Sequence, residues 1–304
     1  MPTLKEIKSR IGSVKSTLKI TSAMKLVSSA KLHKAQQAAE AMRPYEEALL
    51  GILAALRGSS TRQADSVLES SAREGSSTAE GSSVLRPTAI VAIASNSSLC
   101  GGFNTNIIAK VREVRQPGDV VYSIGRKMAD AMRREGFTTP EDLNALIEHP
   151  SYGPAADLVN RLTEDCAKGR VKKVLLVYTH FVSTARQVPV VEELLGEIPG
   201  QAGNDERTGS SVMPGTDRAS DAIIIEPGRK ELLESLLPKT RKLKLYAALL
   251  DSAAAEHAAR TVAMQTATDN AENLLAELTL QYNKGRQQKI TSEILDLAGG
   301  QMEA

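Results

Sequence analysis

Apolar residues recur at steps of three and four from the start of the chain: Leu4, Ile7, Ile11, Val14 and Leu18 lie on one stripe. The spacing is helical, since residues three and four apart share a face. A strict seven-residue repeat slips near Thr21, and the stripe resumes through Met24, Val27, Ala35, Ala38, Met42, Tyr45, Leu49, Ile52 and Leu56. Thr3-Leu4-Lys5-Glu6 supplies the start. The Thr3 hydroxyl can accept from the Glu6 amide while the Glu6 carboxylate returns to the Thr3 amide, a capping box. Pro44 is the one proline between Thr3 and Gly58 and marks a site for a kink. At 1.5 Å per residue this predicts a rod of about 80 Å.

Residues 59–83 are rich in Ser and Gly and read as a flexible connection or a surface insertion. Short apolar runs then alternate with helical patterns. Thr88–Ser95, Val120–Ile124, Val174–Thr179 and Ala222–Ile225 read as strands, and Val188–Val191 as a strand placed at an edge by Pro189. Helices are predicted at Asn104–Arg115, Arg126–Glu135, Pro140–Ile147 and Ala155–Lys168, the third introduced by Thr139-Pro140-Glu141-Asp142. Residues 200–218 read as a long loop. From about Lys239 to Leu297 no proline occurs, and a drifting stripe from Leu243 through Leu278 to Leu297 predicts a second helix of about 90 Å.

Two long terminal helices around a small α/β unit can bury their narrow stripes only against each other. The expected fold class is α/β: a long antiparallel coiled coil of the N- and C-terminal helices plus a small open α/β (Rossmann-like) domain. Its parts are a shaft helix over 1–58, a connection over 59–85, the α/β domain over 86–227 and a second shaft helix over 228–304.

Composition agrees. Of 304 residues, 41% are hydrophobic and only 3% aromatic, with no Trp, so Ala, Leu, Ile and Val must do the packing. Net charge is +2, yet residues 1–43 carry nine basic groups against Glu6 and Glu40, a local +7 that leaves −5 for the rest. Lys5, Lys8, Lys15 and Lys19 share one flank of the first helix. Such a flank meets nucleic acid, an anionic membrane face or an acidic protein surface, or is simply solvated. No apolar run reaches the length of a membrane helix, and the amino terminus has no secretory h-region. Cys100 and Cys166 cannot build a disulfide scaffold and fit a reducing compartment.

Chemistry-bearing motifs are scarce. Phosphate-loop, dinucleotide and HExxH patterns do not occur, and the four histidines have no ligand spacing. No catalytic residue, cofactor or metal is expected. The loop Leu99-Cys100-Gly101-Gly102-Phe103-Asn104 joins a strand to a helix. Its glycines could let amides cradle an anion, and a Cys at a helix N-terminus can be acidified. A tight turn around a small buried Cys is the favoured reading, because no lysine accompanies the loop.

Three segments carry a resemblance: IGSVKSTLKITSAMKLV from Ile11 to Val27, SLCGGFN at 98–104, and RTVAMQTATDNAENLLAELTLQYNKGRQQKITSEIL at 260–295. Together they resemble the gamma subunit of the rotary F-type ATP synthase. The resemblance implies a non-catalytic rotor shaft. Its coiled-coil end would sit inside a ring of alternating alpha and beta subunits that hold the nucleotide sites. Its other end would bind the epsilon subunit and rest on the c-subunit ring, peripheral to the cytoplasmic face of a bacterial plasma membrane. By motif, Met24 and Lys25 match positions near the lever loops of the beta subunits, and Arg286, Gln287, Thr291 and Glu293 match contacts to the inner collar of the ring. Three departures stand out: SNSS at 95–98 replaces an acidic and a basic residue common in relatives, Gly285 interrupts the last helix, and 200–218 has no cysteine pair for thiol regulation. The rival expectation is a basic coiled-coil scaffold binding nucleic acid or acidic protein surfaces. It is disfavoured because the basic residues lack interleaved aromatics. A second rival is an enzyme that uses Cys100.

Overall fold

The computed structural model describes residues 3–58, 86–137, 142–196 and 228–300. Helix α1 runs Leu4–Gly58. There follow β1 Ala89–Ile93, α2 Phe103–Val114, β2 Val120–Ile124, α3 Arg126–Arg134, the single turn α4 Ala145–Glu148, and α5 Tyr152–Ala167. Strands β3 Val174–Phe181 and β4 Gln187–Leu195 precede α6, Arg229–Gly300, a helix of 72 residues.

The capping box forms as expected: the Thr3 amide donates to Glu6 Oε2 at 3.1 Å and the Glu6 amide to Thr3 Oγ1 at 3.3 Å. Helices α1 and α6 then pack antiparallel along most of α1. Thr21 and Thr268 share a hydrogen bond of 3.0 Å, and Gly285 faces Leu4. These pairs lie seventeen residues apart on both helices, so the register holds between them without a slip.

Burial corrects the expected stripe. The inward positions of α1 keep strict three-four spacing through Leu18, Thr21, Lys25, Ser28, Leu32, Ala35, Ala39, Met42, Glu46, Leu49 and Leu53. Val27, Tyr45 and Ile52, read as stripe members, are exposed. The seven-residue repeat therefore does not slip near Thr21; polar side chains occupy its seam there. On α6 the same spacing runs from Thr240 through Leu250, Met264, Ala271 and Leu278 to Gly285. Both internal prolines, Pro44 and Pro238, sit within continuous helix, and α6 starts about ten residues before the expected Lys239.

The sheet has strand order β2-β1-β3-β4. β1 is parallel to β2 and β3, and β4 is antiparallel to β3 with Val177 opposite Val191. The expected edge strand at Val188–Val191 is thus a nine-residue strand. Alternation along β1 feeds two cores, one per face. Ile90 and Ala92 meet Ile107, Val111, Met128 and Met132 of α2 and α3. Val91 and Ile93 meet Leu158 and Leu162 of α5 and Leu245 and Leu249 of α6. So α6 packs against the sheet as well as α1, and it is buried on several sides between Leu243 and Arg260. Of the helix expected at Pro140–Ile147, the described part is the turn Ala145–Glu148. The expected strand Ala222–Ile225 and the segments 59–85 and 200–218 lie outside the described residues.

Candidate functional site

The residues singled out from sequence fall in two places on the shaft. Met24 and Lys25 are half-buried beside the polar seam. There the Thr21 hydroxyl donates to the Leu18 carbonyl at 3.1 Å and accepts from Thr268, whose proton is also within reach of the Met264 carbonyl at 2.8 Å. Ile20, Leu26 and Val27 on the same stretch are 60, 70 and 56% exposed. Clustered apolar side chains held out to solvent on a stiff rod are features of an interface. Leu26 lies off the seam, so three-four spacing does not single it out.

Arg286, Gln287, Thr291 and Glu293 are all exposed. Gly285 lies opposite Leu4, the first residue of α1, so these four stand on a single-helix overhang beyond the two-helix section. Their described partners are local: Thr291 Oγ1 donates to the Gln287 carbonyl at 2.9 Å, and Lys289 pairs with Glu293 at 3.6 Å. Ile290, Ile294 and Leu295 are exposed beside them. About twenty residues of helix, roughly 30 Å, separate this set from Met24 and Lys25. The structure does not bring the two sets together, and neither resembles a catalytic constellation.

The Leu99–Asn104 loop is a tight turn. Cys100 is buried, accepts a hydrogen bond from Asn104 Nδ2 at 3.1 Å and lies 3.8 Å from Ser95 Oγ. Ser95 and Asn104 also bond each other. This thiol is enclosed, and among the described residues no acid-base partner is poised to activate it. Leu99 takes φ +66°, a left-handed conformation costly for a branched side chain, and is exposed. Gly101 follows at φ +56° and lies against Ala263 of α6.

Where the domain meets the shaft, Asp251 of α6 accepts from the Phe181 amide at 3.1 Å and pairs with His180 Nδ1. Burial raises the Asp251 pKa, and the bonds from His180 and Phe181 pull against that rise. Nearby, Tyr178 donates to Glu192 at 3.0 Å, and Lys244 pairs with Glu192 at 2.9 Å. Burial and the Glu192 charge push the Tyr178 phenol up. Facing them on α1, Glu46 is also raised, by burial first and the Glu192 charge second. Further along α6, Glu256 and Arg260 form a buried pair at 2.7 Å. Burial, reinforced by Arg260 and Lys31, pulls the neighbouring His257 down to about 4. The Asp251 bonds to His180 and Phe181 and the Lys244–Glu192 pair clamp the domain to the shaft. Among the described residues no His, Cys, Asp or Glu cluster could hold a metal ion, and no helix is long and apolar enough to cross a membrane.

The arrangement defines a coiled-coil shaft protein that carries an open α/β domain on its side and exposes two sets of side chains along its length. Residues 3–303 match the family model described as ATP synthase. The ATP synthase gamma chain of Bacteroides thetaiotaomicron is 43% identical over 314 residues, covering 100% of both chains. That of Phocaeicola vulgatus is 44% identical over 309 residues, covering 99% of this chain and 100% of that one. Among solved structures, the rotor of Euglena gracilis mitochondrial ATP synthase superposes with TM-score 0.62 at 18% identity, over 94% of this chain and 98% of that chain. The central stalk and c-ring structure of Tetrahymena thermophila mitochondrial ATP synthase gives 0.55 at 22%, over 82% and 99%. The chain belongs to the ATP synthase gamma-chain family.

Proposed function

We propose that this chain is the central rotor shaft of a proton-translocating F-type ATP synthase. It makes and breaks no bond. It transmits rotation of a c-subunit ring to a surrounding ring of alpha and beta subunits, and the off-centre coil drives each beta subunit through successive nucleotide affinities. The epsilon subunit joins it at the end that carries the α/β domain. The carrying observation is the full-length match to gamma chains on a chain whose two terminal helices keep one unbroken register. A lever must be stiff along its axis, and a continuous two-helix seam supplies that stiffness.

Placement supports the contact roles that the motif resemblance implies. Met24 and Lys25, with exposed Ile20, Leu26 and Val27 around them, meet the beta subunits part-way along the coil. Arg286, Gln287, Thr291 and Glu293 turn within the inner collar of the ring, where a lone exposed helix gains the neighbours it lacks here. The Lys5, Lys8, Lys15 and Lys19 flank is solvent-exposed and available to acidic surfaces of the ring. The assembled position is peripheral to the cytoplasmic face of a bacterial plasma membrane.

The test replaces Arg286 and Gln287 together by Ala in the assembled complex. Proton-driven ATP synthesis should drop several-fold while the complex still assembles with one copy of this chain per ring. Unchanged synthesis at normal assembly would remove the collar contact from this account.

A further inference from the structure

The junction of shaft and domain holds a charge arrangement that the shaft role does not use. A cavity of about 390 Å³ lies where α1 and α6 pass the β3–β4 pair. Every one of these elements turns ionisable side chains on it. Arg43, Glu46 and Glu47 come from α1, and Tyr178 and His180 from β3. Glu192 comes from β4, and Lys244 and Asp251 from α6. With His180 neutral, four carboxylates stand against two cations, so the cavity carries an excess of negative charge.

Two of the four carboxylates are tied. Asp251 holds His180 and the Phe181 amide, and Glu192 holds Tyr178 and Lys244. Lys244 is further engaged by the Glu193 carbonyl at 3.0 Å. Glu46 is half-buried between them, yet among the described residues it makes neither a hydrogen bond nor an ion pair. Burial first, then the Glu192 charge, favours its protonated form; Lys244 and Arg43 oppose this, and Asp251 adds to it. A proton or a metal cation would relieve the excess charge. Among the described residues no set of these acids is arranged to hold a metal ion, which leaves the proton.

We propose that Glu46 is a proton-operated latch between α1 and the α/β domain. A proton from solvent adds to one Glu46 carboxylate oxygen, which then donates a hydrogen bond to the Glu192 or Asp251 carboxylate and draws α1 onto the β3–β4 pair. Ionised, Glu46 faces both as a like charge and the cavity stays wide. Buried Leu49 and Leu53 keep α1 seated in either state, so the movement is local. The closed form binds the proton more tightly than an open form in which Glu46 titrates at its ordinary 4.5. Closure is therefore fully present below that value and is lost as pH rises through the raised one. The latch belongs to the chain by itself and stands apart from the rotor assignment.

The test uses the purified full-length chain with Cys166→Ser and spin labels at Ala48→Cys and Glu193→Cys, two exposed positions that do not line the cavity. The interlabel distance should shorten in one step as pH falls, the closed-to-open ratio rising by up to about ten-fold per pH unit for a single proton. Carboxyl NMR of the unlabelled chain should place the Glu46 midpoint above 4.5, coincident with that step. Glu46→Gln, neutral and still a donor, should hold the short distance at every pH. Glu192→Gln removes a repelling charge and should move the Glu46 midpoint down; it decides the matter if Glu46→Gln fails to fold. A Glu46 midpoint at or below 4.5, a pH step that survives Glu46→Gln, or a midpoint unmoved by Glu192→Gln would overturn the latch. So would shortening driven by magnesium at fixed high pH, which would make the cavity a cation site.

Discussion

Single residues decide where this domain can bend. Gly125 begins α3 with φ +101°, and a Cβ there would run into the Ala94 carbonyl oxygen. The clash is with backbone of the central strand, which cannot move aside. Gly125→Ala should therefore cost about 3 kcal/mol or more, counting strain and displacement, and urea denaturation of the full chain would measure it. His257 provides a pH signature. Its imidazole is held neutral down to about 4, by burial first and the Arg260 and Lys31 charges second, against 6.5 in the unfolded chain. The unfolded state then binds the extra proton between these values, so stability falls as pH drops from 6.5 toward 4. After discounting for its partial exposure, the loss is about 1–2 kcal/mol. His257→Gln should flatten the denaturation midpoint across that window. None of this was legible in sequence, since His257 looked like one of four scattered histidines.

Elements were legible where the signal was local. The Thr3–Glu6 box and the three-four spacing marked α1 because capping and amphipathicity need only neighbours along the chain. The seam at Thr21, Lys25 and Ser28 was missed, because polar residues facing a partner helix look identical to polar residues facing water. The Thr21–Thr268 bond is the sole side-chain hydrogen bond described across the α1–α6 seam, and a specific hydrogen-bonded pair in such a seam fixes register. Thr21→Ala should lower stability by about 1 kcal/mol. The double change Thr21→Val with Thr268→Val should restore most of that while loosening alignment. Spin-label distances between the helices would then broaden at an unchanged melting temperature; a sharp distance would contradict the register role. The breadth of the buried face of α6 was equally hidden. It comes from β3 and α5 arriving from elsewhere in the chain, and the Asp251 link to His180 and Phe181 was beyond any spacing rule.

At the scale of the whole molecule, the two shaft helices end unequally. Beyond Gly285 the described α6 runs about fifteen residues with no partner helix, and its side chains from Arg286 to Leu295 are exposed. Helices of that length are marginal in water when unsupported. Amide exchange of the isolated chain should show protection to Leu278 and fast exchange past Arg286. Deleting 286–304 should move the melting temperature by no more than a few degrees, because the described side chains from Arg286 to Leu295 are all exposed. The resemblance in the RQQKITSE stretch pointed at these residues, but that they stand on a lone helix emerged only from the register.

That junction has a mechanical corollary. A pair of joined beams resists flexing far more than one of them, so a sideways or twisting load along this molecule concentrates its give in the short span just past Leu4 and Gly285. The projecting tip can hold its direction while the doubled section swings off axis, with the compliance confined to that short span.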